Sequence, residues 1–144
     1  MTPHIATCVA IGQRGVLIEG PPGSGKSSLA LALIDRGAKL VGDDGVLLTN
    51  DKGQLFAHAP HQTRGLLEIR NLGLVRLDVC ETVHIAIIFT LDTDAPRFIE
   101  HASHCERLGV TIPHLSIWPE SSPPTLKIEY GLQNFGLSVY TDKN

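Results

Sequence analysis

Lys26 and Ser27 close the run GPPGSGKS, Gly20 to Ser27. Their types and spacing fit G-x-x-x-x-G-K-[ST], a loop whose backbone N–H groups cradle phosphates. Lysine can reach β- and γ-phosphate oxygens, and a serine hydroxyl can ligate Mg²⁺. The context suits this chemistry. The apolar run 15–19 (GVLIE) reads as a strand, and 28–34 (SLALALI) continues as a helix. Helix N-termini attract anions through their unpaired N–H groups and dipole. Gly20, Gly23 and Gly25 let the chain wrap closely, because glycine tolerates positive φ. The spacing therefore predicts that Gly20, Pro21, Pro22, Gly23, Ser24, Gly25, Lys26, Ser27 and Ser28 contact ATP. A glycine-rich turn capping a core helix would need neither Lys26 nor Ser27.

A second set of chemical groups follows the helix. Asp43 and Asp44 end the apolar run 39–42 (KLVG). In α/β sheets ligands gather at the carboxyl ends of strands. One carboxylate there can serve the metal while its neighbour accepts a proton from an attacking hydroxyl. The competing reading is a surface turn, since Asp-Asp-Gly is a common turn sequence. A third stretch, RGLLEIR at 64–70, places Glu68 and Arg70 on one face if it is extended. They would suit a metal and a phosphate respectively, or form a surface ion pair.

These groups must be held by one domain, residues 1–144, with 42% hydrophobic and 19% charged residues. That is enough apolar material for a single core. The formal net charge of -3 offers no basic footprint for nucleic acid. Three scattered cysteines, Cys8, Cys80 and Cys105, suggest reduced thiols in a cytoplasmic protein. No signal-peptide pattern and no membrane-length apolar run appear. Short strand patterns outnumber helices. Strands are expected over 4–9, 15–19, 39–42, 46–49, 54–57, 83–91 and 112–118, with 83–91 central and a hairpin turn at 50–53. The run 66–75 is apolar but interrupted by Glu68, Arg70 and Asn71. Helices are expected after the loop to about Asp35, over Pro96 to Cys105, and over Thr125 to Phe135. Gly37 suits the position just past the first helix. The expected class is an α/β mixed sheet with few helices.

Taken together, GVLIEGPPGSGKSSLALALIDRGAKLVGDDGV at 15–46 and RGLLEIRNLGLV at 64–75 resemble the catalytic domain of the HPr kinase/phosphorylase family. HxxxCVAI at 4–11, ERLG at 106–109 and NFG at 134–136 extend the resemblance over most of the chain. It implies a P-loop, phosphoenolpyruvate-carboxykinase-like fold, usually assembled as a hexamer, in a short form without a separate N-terminal domain. It also implies a serine kinase that uses ATP and Mg²⁺ on the phosphocarrier HPr and can reverse the step by phosphorolysis. Carried over residue by residue, Lys26 binds phosphate, Ser27 and Glu68 bind Mg²⁺, and Asp43 stands on the metal side. Asp44 is the base, and His4 and Arg107 complete the active site.

The sequence also departs from the family pattern. Ser28 stands where an acid is usual. The segment 116–122 (SIWPESS) lacks the basic residues associated with phosphorolysis and carries Glu120. These differences predict that transfer to serine outruns its reversal. The family's C-terminal helix also runs well beyond the position of Phe135. Three weaker patterns remain. His101, His104 and Cys105, with His84 or Cys80, could suggest zinc, although no C-x-x-C pair supports it. Trp118 reads as packing or as a nucleotide stack. A kinase for a small alcohol and a catalytically silent nucleotide-binding module remain alternative functions.

Overall fold

The computed structural model describes residues 1–141. In chain order the strands and helices are β1 (Thr2–His4), β2 (Thr7–Ile11), β3 (Arg14–Glu19), α1 (Lys26–Asp35), β4 (Lys39–Gly42), β5 (Val46–Asp51) and β6 (Gln54–His58). They continue with β7 (Leu66–Ile69), β8 (Gly73–Arg76), β9 (Thr82–Leu91), β10 (Ser103–Arg107), β11 (Val110–Ile117) and α2 (Thr125–Phe135). Nine strands form one mixed sheet in the order β1-β5-β6-β9-β3-β2-β4, with β11 beside β9 and β10 outside β11. β7 and β8 form a separate hairpin.

β9 is central, and seven of its ten residues are apolar and buried. Continuous apolar runs mark strands covered on both faces. It pairs in parallel with β3 along one edge. Its other edge is shared, with β6 antiparallel at one end and β11 parallel at the other. A register shift at Gly15/Val16 lets Ala86 and Ile87 face the same core, while Ile85 and Ile88 face the opposite one. The first core packs α1 and α2 onto the sheet through Leu29, Leu33, Ile128 and Leu132 against Val16, Ile18 and Phe89. The second contains no helix residue: Leu17, Val41, Leu48, Leu55, Ile85 and Ile112 all come from strands. The sheet therefore curls over its own face.

The ends of α1 follow from local sequence. The Gly37 N–H bonds to the Ile34 carbonyl and that of Ala38 to Leu33, with Gly37 at φ 109°. This is a Schellman stop, as the glycine predicts. The strand expected over 4–9 is broken at Ile5-Ala6: β1 leaves to pair with β5, and β2 pairs with β3 and β4. The helix expected over Pro96 to Cys105 does not form. Residues 96–102 are irregular, and β10 turns back onto β11 through Leu108 and Gly109, both at positive φ. Such two-residue turns match the twist of paired strands. The run 66–75 is a hairpin whose bend contains Arg70, so Glu68 lies on the strand and Arg70 beyond it.

All three cysteines are free, with Cys8 fully buried. Burial, with Cys80 adding to it, pushes the Cys8 thiol far above its ordinary value. Among the described residues no helix is long and apolar enough to cross a membrane.

Candidate active site

β3 delivers the chain to the glycine-rich loop, and α1 carries it away. Gly20, Gly23 and Gly25 take φ values of 154°, 78° and 103°. A Cβ at Gly20 would lie 2.8 Å from the Ser24 hydroxyl and 3.2 Å from the Leu91 carbonyl oxygen, so the close wrap requires glycine there. The loop is braced by Ser24 N–H donating to the Pro21 carbonyl at 3.1 Å. The helix begins without a side-chain cap and without an acid in its first turn. Its first-turn N–H groups are thus left for an anion to satisfy. The buried Ser24 hydroxyl also lacks a partner. Lys26 extends back along the loop, its ammonium donating to the Gly20 carbonyl at 2.8 Å and Pro21 at 3.3 Å.

A cleft of about 420 Å³ opens against this loop, and Lys26, Ser27, Ser28, Asp44, Glu68 and Arg70 are among its walls. Three separate segments supply them: the loop with the start of α1, the turn after β4, and β7 with its bend. The two adjacent acids diverge. Asp43 is half-buried and its Oδ1 accepts from the Ser27 hydroxyl at 2.7 Å and the Thr7 hydroxyl at 3.0 Å. Asp44 is exposed in the cleft, with φ 58°. That left-handed conformation is uncommon for a residue bearing a side chain. The turn is tight: a Cβ on Gly42 would run into the Gly45 carbonyl oxygen.

The Ser27 hydroxyl and the Asp43 carboxylate are hard oxygen donors at hydrogen-bond distance, and Glu68 shares the cleft wall with Ser27. That set fits Mg²⁺, which takes one or two carboxylates and completes its shell with waters and phosphate oxygens. Among the described residues no three or more His, Cys, Asp or Glu gather as metal ligands. His101, His104 and Cys105 do not gather with His84 or Cys80 into such a group. Trp118 packs: its indole N–H donates to the Ala95 carbonyl at 2.7 Å, and the Lys127 ammonium lies 5.4 Å from the ring centroid.

His4 and Arg107 are not among the cleft walls. They meet each other at Glu19, the residue before Gly20. The His4 ring donates from Nε2 to Glu19 Oε2 at 2.7 Å. Arg107 forks onto both oxygens, at 2.6 Å and 3.2 Å. Burial raises the Glu19 carboxyl, but the hydrogen bonds from Arg107 and His4 outweigh it and hold the group below its ordinary value of 4.5. The Leu108-Gly109 turn places Arg107 at the end of β10, opposite Val110. Glu19 and Thr7 were not among the residues singled out in the sequence. A charge ending an apolar strand, and a lone hydroxyl inside one, were the available signals.

The segment 116–122 borders the other side of the loop, where Glu120 and Ser121 share a smaller cleft with Ser24 and Ser28. Glu120 is paired there with Lys127 of α2 at 2.8 Å.

Fold and cleft together define an α/β domain of mixed sheet and two helices, with a glycine-rich loop and carboxylates on one cleft. The chain belongs to the HPr Serine kinase C-terminal domain family, whose model matches residues 2–118. It is 37% identical over 109 residues to the HPr kinase/phosphorylase of Clostridium beijerinckii, covering 72% of this chain and 35% of that protein. It is 42% identical over 69 residues to the HPr kinase/phosphorylase of Mycoplasmopsis pulmonis, covering 48% and 22%. The chain thus spans about a third or less of the length of these curated relatives. A solved structure of the Hpr(Ser) kinase/phosphatase from Coxiella burnetii superposes with a TM-score of 0.84 at 26% identity, covering 93% of this chain and 90% of that one.

Proposed function

We propose that this protein is a serine kinase that transfers the γ-phosphoryl group of Mg-ATP to the phosphocarrier HPr or a related carrier. The observation that carries this reading is the convergence of Lys26, Ser27, Asp44 and Glu68 on one cleft at the start of α1. The family membership and the names of its relatives support it.

The N–H groups of the loop and the first turn of α1 hold the phosphates. Lys26 exchanges its carbonyl partners for β- and γ-phosphate oxygens, adding a mobile positive charge. Ser27, Asp43 and Glu68 would hold Mg²⁺, which supplies neutralisation of the triphosphate charge. Asp44 takes the proton of the acceptor serine as its oxygen forms the new bond to phosphorus. The bond to the β-phosphate oxygen breaks and ADP leaves. His4 and Arg107, both bonded to Glu19, the residue preceding the loop, anchor its entry and place a guanidinium beside it. The reverse step, phosphorolysis of phosphoserine by inorganic phosphate, uses the same groups. This reading carries with it the phosphoenolpyruvate-carboxykinase-like P-loop fold, a cytoplasmic location and a hexameric assembly, the last open to sedimentation analysis.

The direct test is incubation with Mg-ATP and purified HPr, followed by mass mapping. A phosphate on one serine of HPr is expected. ATP consumption with small alcohols and none with carrier proteins would replace this reading with a small-molecule kinase. Nucleotide binding with no transfer to either would leave a silent regulatory module.

A further inference from the structure

Thr7 is a polar residue at the start of a strand that is otherwise apolar, and it has no exposed surface. Its hydroxyl makes two bonds of opposite sense. It donates to Asp43 Oδ1 at 3.0 Å and accepts the backbone N–H of Asp44 at 3.2 Å. A hydroxyl has one hydrogen to give and lone pairs to receive, so a single side chain can serve both acids. We propose that Thr7 is a positioning residue for the catalytic cleft: its hydroxyl sorts the adjacent aspartates into a metal-side carboxylate and a cleft-facing base. This inference rests on the phosphoryl-transfer reading.

The geometry explains how one atom does this. Asp43 Oδ1 is shared between Ser27 and Thr7, which pins that carboxylate toward the start of α1. Asp44 must then turn the other way, and it does so at φ 58°. A left-handed aspartate is a strained arrangement that persists only when its surroundings over-determine it. The bond from its own N–H to Thr7 is such a constraint, and the close Gly42–Gly45 approach is another. β2 holds Thr7 in place by pairing on both sides. Thr7 lies opposite Ile18 of β3, two residues before Gly20, and the next residue, Cys8, lies opposite Gly42. The strand between the anion loop and the acidic turn thus sets their relative position, and Thr7 is its polar contact with the turn. Replacing the hydroxyl by a methyl keeps the shape, frees Asp43 from one of two donors and leaves the Asp44 N–H unpaired.

The test compares wild type, Thr7→Val and Thr7→Ser by three readouts: calorimetric titration with ATP at stepped Mg²⁺ concentrations, initial rate with purified HPr, and thermal melting. For Thr7→Val the Mg²⁺ needed for half-maximal ATP binding should rise on the order of tenfold, the scale for lost outer-sphere support of a metal site. ATP binding in the presence of a chelator should stay within about twofold, because the loop itself is untouched. kcat should fall about tenfold or more, with a smaller change in KM. Thr7→Ser should restore most of both. A variant with lower melting temperature but wild-type Mg²⁺ dependence and kcat would overturn the inference, leaving Thr7 a packing residue. Failure of Thr7→Ser to rescue would overturn it too. If Thr7→Val does not fold, Thr7→Ala takes its place with the same outcomes. A wild type that binds Mg-ATP yet leaves HPr unmodified would sink the acceptor assignment alone, and Thr7 would then be judged on its Mg²⁺ dependence.

Discussion

At Glu19 one carboxylate collects a histidine and an arginine beside the entry to the glycine-rich loop. Its depressed titration has a consequence for stability. A carboxyl with a lowered folded value stabilises the fold above its unfolded value and loses that contribution as pH falls through the folded one. Glu19→Gln, which cannot titrate, should therefore be less stable than wild type at neutral pH. The gap should close as pH drops below 4.5, the ordinary value for this group. Urea unfolding at several pH values measures it, and a gap independent of pH would contradict the pairing seen here. Glu68, on the wall of the cleft, offers a different test. Glu68→Gln should raise the Mg²⁺ requirement for turnover, on the order of tenfold, while leaving metal-free ATP binding intact. An unchanged Mg²⁺ requirement would remove Glu68 from the metal side. The meeting of the glycine-rich loop with the acidic turn was legible from type and spacing, because Lys26-Ser27 after a glycine run and the strand-end pair Asp43-Asp44 carry local signatures. Glu19 and Thr7 were not. Their importance comes from partners 88 and 36 positions away in sequence, which only the sheet brings near.

Among the elements, the acidic turn between β4 and β5 depends most on backbone shape. Gly42 sits where a side chain would meet the Gly45 carbonyl. Gly42→Ala should destabilise the protein by about 1–3 kcal/mol, the usual cost of overpacking. It should also slow transfer more than it weakens ATP binding, because it displaces Asp43 and Asp44 without touching the loop. Melting temperature, turnover and calorimetry together check this, and normal turnover in a folded Gly42→Ala protein would contradict it. The elements read correctly in advance were those with a strong period or a decisive stop signal. β9 announced itself by its apolar run, α1 by its glycines at both ends, and the β5–β6 hairpin by Asn50-Asp51-Lys52-Gly53. Residues 96–105 misled, since a mixed polar stretch beginning at proline has no firm period. What decided the outcome was Leu108-Gly109, a two-residue turn that commits the preceding segment to pair with β11. The break at Ile5-Ala6 was equally hidden, because β1 is drawn away by β5, more than 40 positions later.

Across the whole molecule, a sheet curled over one core and two helices packed on the other hold three segments around one cleft. The charge around that cleft bears on direction. Phosphorolysis brings inorganic phosphate to a site already crowded with phosphate and carboxylate, and cations must offset the repulsion. The segment 116–122 beside the loop contributes no cation, and Lys127 nearby is engaged by Glu120. The forward rate should therefore exceed the reverse rate, measured as loss of phosphoserine from HPr with pyrophosphate as product. A reverse rate equal to the forward one would mean that this missing charge is dispensable. In the proposed reaction, Lys26 holds the triphosphate and Asp44 takes the proton. Single-turnover transfer from Mg-ATP to HPr, with ATP affinity recorded on the same samples, addresses it most directly. Wild type should phosphorylate one serine. Lys26→Ala should lose both transfer and tight ATP binding. Asp44→Asn should bind Mg-ATP nearly as wild type yet transfer about a hundredfold more slowly. Folded Lys26→Ala and Asp44→Asn proteins that transfer phosphate at the wild-type rate would contradict the account.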